Sequence, residues 1–134
     1  MRATNLRLTK TEGKAFDTIH IGANRSRIKG HINVIRFQDV DTKQIVIYVP
    51  AFDISAYGET DGKALEMLNA EIHSFFDSLL DLSAGKLAET LRDLGFVQDK
   101  IRHKDFSKMV VANDGNLQHF NIQEGTLQHL ALVA

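Results

Sequence analysis

The chain has 134 residues, 43% of them hydrophobic and 25% charged, which suits one folded domain and argues against a disordered chain. It has no cysteine, which excludes a disulfide framework, a thiolate metal site and a cysteine nucleophile. The net charge of −1 is uneven: residues 1–29 hold seven basic and two acidic groups, whereas residues 39–94 hold eleven acidic and four basic groups. The acidic central region disfavours nucleic acid and suits a basic protein partner, unless it is only a solvated surface.

The sequence shows no signal for a membrane. No apolar run approaches the roughly 18 residues that cross a bilayer as a helix. The first ten residues lack the apolar core of a signal peptide. We therefore expect a cytoplasmic protein that does not associate with membranes.

Alternating apolar residues predict extended structure in the N-terminal third of the chain. A short strand or a loose arm is expected around residues 5–9, and another strand within residues 15–23. The polar, basic segment 24–27 should be a loop. Strands over residues 31–38 and 44–49 flank a turn, so they should pair as a hairpin.

A third strand is expected after Pro50, which should end the second strand of the hairpin because proline cannot donate to a ladder. Phe52, Ile54 and Ala56 alternate with polar residues and predict a strand with one polar face. Three consecutive strands with short connections predict an antiparallel meander.

The clearest helix is predicted over residues 61–82. Thr60 or Asp61 can cap it by accepting a hydrogen bond from an early backbone N–H. Apolar residues recur at alternating spacings of three and four, which predicts one stripe buried against the sheet rather than a coiled coil. The stripe consists of Leu65, Leu68, Ile72, Phe75, Leu79 and Leu82.

A shorter helix should follow over residues 84–94. Ser83 is expected to cap it, and Gly95 to end it in the left-handed conformation with Phe96 as the hydrophobic contact. Its inward-facing residues should be Leu87, Leu91 and Leu94.

The C-terminal segment, residues 97–134, is predicted to form mainly strands. Residues 108–112 and 117–122 flank Asn113-Asp-Gly-Asn116, a sequence typical of a hairpin turn. Residues 127–133 predict the last strand. The chain is therefore expected to be a single α+β domain: a three-strand antiparallel meander packed on one long and one short helix, with a C-terminal hairpin.

Few residues suggest catalysis. The six histidines lack the paired spacing of metal ligands, and no phosphate-binding loop or serine nucleophile motif is present, so no metal or cofactor is expected. Asp39, Asp41 and Asp53 lie on or beside the hairpin and could meet as acid/base carboxylates of a small metal-dependent hydrolase. Turns also favour aspartate for its local backbone hydrogen bonds, which is the simpler explanation of Asp39 and Asp41.

A basic loop is the second candidate site. Arg25, Arg27 and Lys29 could contact the phosphates of RNA or an acidic patch of a partner. No aromatic residues that could stack on bases are interleaved with them. An ordinary solvated loop is the alternative.

A run of residues from 48 to 69 carries a family resemblance. Tyr48-Val-Pro50, Phe52-Asp-Ile54, Tyr57-Gly-Glu-Thr60, Ala64-Leu65 and Asn69 resemble the HicB antitoxin family over roughly residues 30–82. The most specific positions are Gly58, Thr60, Ala64 and Asn69. Gly58 would supply a flexible backbone where the strand ends, and Thr60 the helix cap. The ending Leu-x-x-Leu-Gly-Phe96 looks like that of a second helix in some relatives.

The resemblance implies a partial ribonuclease-H-like fold without nuclease residues. It implies a non-enzymatic protein that binds and neutralises a small, basic ribonuclease toxin, or that acts as a homo-oligomer. Such antitoxins usually carry a C-terminal DNA-binding module, whereas residues 97–134 here predict strands, so DNA binding is not expected. Residues 1–28 form a longer lead-in than is usual in the family, as an arm or extra strands.

Overall fold

The fold was obtained as a computed structural model, which describes residues 7–9, 16–21, 28–98, 102–105 and 123–133. These residues form an antiparallel sheet and two helices, which confirms the α+β class. The helices are α1, Asp61–Leu80, and α2, Ala84–Asp93. The described strands are β1 Arg7–Thr9, β2 Phe16–Ile21, β3 Ile28–Gln38, β4 Ile45–Val49, β5 Ile54–Gly58, β6 Val97–Gln98, β7 Arg102–Asp105 and β8 Gln128–Val133.

The sheet forks along β3. One edge of β3 pairs with β8 from His31 to Arg36. The other edge is shared, since β2 pairs with it up to His31 and β4 pairs with it from Ile35 onward. β1 extends the sheet beyond β8, β7 and β6 extend it beyond β2, and β5 extends it beyond β4. Asn33 therefore lies at the point where β2 and β4 separate.

The predicted meander is confirmed as β3, β4 and β5, all antiparallel. β4 ends at Val49, directly before Pro50. The prediction that the third strand includes Phe52 is wrong, because β5 begins at Ile54. Asp53 has a positive φ of 53° and its N–H donates to the Pro50 carbonyl at 3.3 Å, so these residues form a turn.

Helix α1 begins after Thr60, whose side chain accepts from the Lys63 N–H at 3.2 Å, as predicted. The predicted stripe is only partly right, since Leu65, Phe75 and Leu82 are half-buried. The fully buried positions are Ala64, Leu68, Ile72, Phe76, Leu79 and Leu80. The first turn of α1 approaches β5 closely, since a Cβ on Gly58 would lie 2.6 Å from the Ala64 nitrogen.

Helix α2 has the predicted ends. Ser83 caps it by accepting from the Lys86 N–H, and Gly95 follows it with φ +98°. The Phe96 N–H donates to the Leu91 carbonyl at 3.0 Å and the Gly95 N–H to the Arg92 carbonyl at 2.9 Å, which are the two bonds of a Schellman motif. Leu87 and Leu91 are buried, while Leu94 is half-buried at the border of the core.

Four phenylalanines join the helices to the meander. The Phe52 ring, in the turn between β4 and β5, lies 4.8 Å from Phe75, 5.6 Å from Phe76 and 5.9 Å from Phe96. Phe96 follows α2, so this cluster fixes both helices against one end of the β4–β5 hairpin. Aromatic pairs at such distances add about 0.5–1.5 kcal/mol each beyond their burial.

The terminal segments match the predictions in part. β1 and β2 lie where strands were expected, and β8 matches the predicted last strand. β6 and β7 were not predicted as separate strands. The predicted hairpin around residues 113–116 lies outside the described residues. Among the described residues, no helix is long and apolar enough to cross a membrane.

Candidate functional site

Two of the three candidate carboxylates lie in the turn between β3 and β4. Asp39 Oδ2 accepts hydrogen bonds from the backbone N–H of Asp41 at 3.1 Å and of Thr42 at 2.8 Å, and from the Thr42 hydroxyl at 2.9 Å. The bonds from Thr42, backbone first, lower the pKa of Asp39. Asp39 thus stabilises the turn, as the simpler explanation predicted.

Asp53 lies at the opposite end of β4, where it accepts a hydrogen bond from the Tyr48 hydroxyl at 2.8 Å. Burial, reinforced by this carboxylate, raises the pKa of Tyr48 to about 12. The five residues of β4 span about 17 Å. The structure therefore does not bring Asp53 together with Asp39 and Asp41. The described part of the chain contains no cluster of three or more side chains suited to hold a metal ion.

Of the basic loop, only Lys29 falls within the described residues. It lies near the start of β3, opposite His20 of β2, with an exposed side chain. Arg25 and Arg27 lie outside the described residues. The proposed contact of this loop with RNA or a partner stays a prediction.

The residues that resemble the HicB family have roles in packing, capping and ending secondary-structure elements. A Cβ on Gly58 would lie 2.6 Å from the Ala64 nitrogen, and the φ of Gly58 is not positive. Gly58 is thus required for close approach to α1, not for a flexible backbone. Pro50 follows β4, Thr60 caps α1 and Ala64 is fully buried. Asn69 is half-buried on α1, and its Oδ1 has no hydrogen-bond partner among the described residues.

Part of the negative charge of the acidic central region, residues 39–94, lies on the exposed side of α1. One lysine, Lys63, is exposed on α1, against four exposed carboxylates, and a fifth exposed carboxylate lies at the C-cap of the helix. We call these five carboxylates the acidic face: Asp61, Glu66, Glu71, Asp77 and Asp81. Arg36 of β3 binds Asp61 through two hydrogen bonds, Nε to Oδ1 at 2.9 Å and Nη2 to Oδ2 at 3.2 Å. This ion pair ties the start of α1 to the sheet. The other four carboxylates are distributed around the exposed part of the helix and its C-terminal end.

A buried polar pair, with an exposed histidine bonded to it, occupies the fork of the sheet, and the sequence reasoning missed it. Asp17 of β2 and Asn33 of β3 are almost completely buried. Asp17 Oδ1 accepts from the Asn33 backbone N–H at 2.6 Å and from its Nδ2 at 2.9 Å. Asn33 Oδ1 lies 2.8 Å from His129 Nε2 on β8. Polar residues inside the apolar strand segments 16–21 and 32–37 were the available signal.

The network identifies which ring nitrogen of His129 carries a proton. Because Asn33 Nδ2 donates to Asp17, its Oδ1 faces His129 as an acceptor, which places a proton on His129 Nε2. Partial burial lowers the pKa of His129; Asp17 opposes that shift and His31 adds to it. The arrangement links β2, β3 and β8 next to the point where β2 stops pairing with β3.

Comparisons of the chain with protein-family models, curated proteins and solved structures found no match.

Proposed function

We propose that this chain is a non-enzymatic binding protein of the HicB antitoxin type, which binds a small basic protein such as a ribonuclease toxin in the cytoplasm. The observation that carries the proposal is the acidic face of α1. Residues 61–81 present five exposed carboxylates against one exposed lysine, and one of the five, Asp61, is paired with Arg36. The resulting excess of negative charge attracts a basic protein.

The roles of the motif residues support the same proposal. A strand that ends at Pro50, a close approach at Gly58 and a cap at Thr60 connect the meander to α1. These residues hold α1 on the sheet. Arg36 and Asp61 add an ion pair at the start of the helix. A rigid charged surface loses little conformational entropy on binding.

The alternative functions have less support from the described residues. A hydrolase that uses Asp39, Asp41 and Asp53 together would need carboxylates that lie at opposite ends of β4 to converge. An RNA-binding module would depend on Arg25 and Arg27, which lie outside the described residues. No specific observation favours either alternative over protein binding.

Co-expression tests the proposal. The chain is expressed in bacteria together with the product of whichever adjacent reading frame is short and basic, and growth is followed. We expect that product alone to stop growth and the chain to restore it. A double variant, Glu66→Lys with Glu71→Lys, should restore growth poorly, since each reversal turns an attraction into a repulsion at the acidic face.

The matched control is Glu89→Lys with Asp93→Lys, which makes the same charge change at exposed positions of α2. This control should restore growth as well as the unchanged chain. The proposal is wrong if no adjacent product is neutralised by the chain. The acidic face is not the binding surface if both double variants behave alike.

A further inference from the structure

Strand β5 lies at an edge of the sheet that the described residues form. It pairs with β4 on one side, and the described residues supply no hydrogen-bond partner for the backbone on its other side. Ser55 is exposed, and 53% of the Tyr57 surface is accessible to solvent. Unpaired N–H and C=O groups in a row are a template for pairing with another strand.

Helix α1 would cover a strand added at this edge. It packs mainly against β5 and to a smaller extent against β4, so its axis lies near the edge of the sheet. A helix is about 10 Å wide, whereas the next strand would lie about 4.8 Å from β5. An added strand would therefore still lie partly under α1.

The edge is flanked by negative charge at both ends. Asp53 precedes β5 and Glu59 follows it, and both are exposed. The acidic face of α1 lies on the helix that covers the same strand. A basic side chain at either end of an added strand would meet one of these carboxylates.

We propose that an extended, basic segment of the partner protein adds to β5 as a further strand. This inference rests on the proposed function and names how that partner is held. Main-chain hydrogen bonds would supply affinity, and the carboxylates that flank β5 would select a strand with lysine or arginine near its ends.

A second copy of this chain fits the edge less well. Two β5 strands that paired antiparallel about Ala56 would place Asp53 of each copy opposite Glu59 of the other. Like charges directly opposite each other destabilise a strand pair. The charge pattern therefore favours a basic strand over self-pairing.

Amide hydrogen exchange of the full chain tests the inference. The probe is a short, end-blocked peptide of alternating lysine and valine, with alternating glutamate and valine as its control. We expect the basic peptide to slow exchange at residues 54–58 and the acidic peptide to leave it unchanged. Glu59→Lys should weaken binding of the basic peptide about tenfold, and Glu89→Lys on α2 should change it by less than about twofold.

The outcomes separate this inference from the proposed function. If the basic partner protein forms a complex but neither it nor the peptide slows exchange at residues 54–58, the edge is not the docking site and the function stands. If no basic protein binds at all, the proposed function fails as well. A doubled mass of the chain alone, with slowed exchange at residues 54–58, would show self-pairing and overturn the inference.

Discussion

At the scale of single residues, Asp17 explains how the sheet can fork. Where β2 and β4 part along β3, the Asn33 N–H loses a strand partner, and the Asp17 carboxylate accepts from it instead. Asp17→Ala would leave two buried donors of Asn33 without this acceptor, at about 1–3 kcal/mol each. We expect the free energy of unfolding, measured by urea denaturation, to fall by about 2–5 kcal/mol.

Asp17→Asn should cost less than Asp17→Ala, because the amide keeps one acceptor oxygen. Asp93→Ala, at an exposed position of α2, is the control and should change stability by less than about 0.5 kcal/mol. Equal effects of Asp17→Ala and Asp93→Ala would contradict a structural role for the network.

The raised pKa of Tyr48 predicts that the stabilising contribution of this residue is lost at alkaline pH. Its folded-state pKa of about 12 exceeds the ordinary value of 10.0, so the folded chain keeps the proton after the unfolded chain has lost it. Its contribution is therefore complete below pH 10 and is lost as pH rises towards about 12. The stability difference between the unchanged chain and Tyr48→Phe, measured by urea denaturation, should narrow over this range. A difference that stays constant with pH would count against the hydrogen bond to Asp53.

At the scale of elements, the junction of β5 with α1 depends on Gly58. A Cβ there would lie 2.6 Å from the Ala64 nitrogen and 2.8 Å from the Lys63 carbonyl carbon, both backbone atoms of the helix. Gly58→Ala should therefore force the two elements apart and lower the melting temperature, at a cost of about 1–3 kcal/mol.

Gly62→Ala is the matched control for this junction. Its added Cβ would have Thr60 Oγ1 as a neighbour at 3.9 Å, which is ordinary contact. Because Gly62 lies inside α1, alanine should stabilise the chain by about 0.5–1 kcal/mol. If both substitutions had the same effect, close approach would not be the reason for glycine at position 58.

The elements that the sequence predicted best are those set by local signals. Thr60 and Ser83 act as caps and Gly95 ends a helix because each acts on residues within one turn. The turn at Asp39 was predictable for the same reason, because Asp39 bonds to a residue only three positions away. The buried positions of α1 differ from the predicted stripe because periodicity alone does not contain the contacts between the helix and the sheet.

At the scale of the whole molecule, the α+β class was predictable and the branched sheet was not. The pairing of β8 with β3 joins residues about one hundred positions apart, and no local pattern specifies it. The same holds for the Asp17, Asn33 and His129 network, whose members come from three strands. The acidic face was predictable because its charge and its helical spacing are both local.

The proposed function depends on whether this chain binds a small basic protein through charge. The most direct measurement is a calorimetric titration of the chain with the purified product of the adjacent short, basic reading frame, at low and at high salt. We predict a defined complex whose affinity falls as salt rises, because salt screens the attraction of the acidic face. Absence of binding at low salt, or an affinity that does not change with salt, would contradict the account.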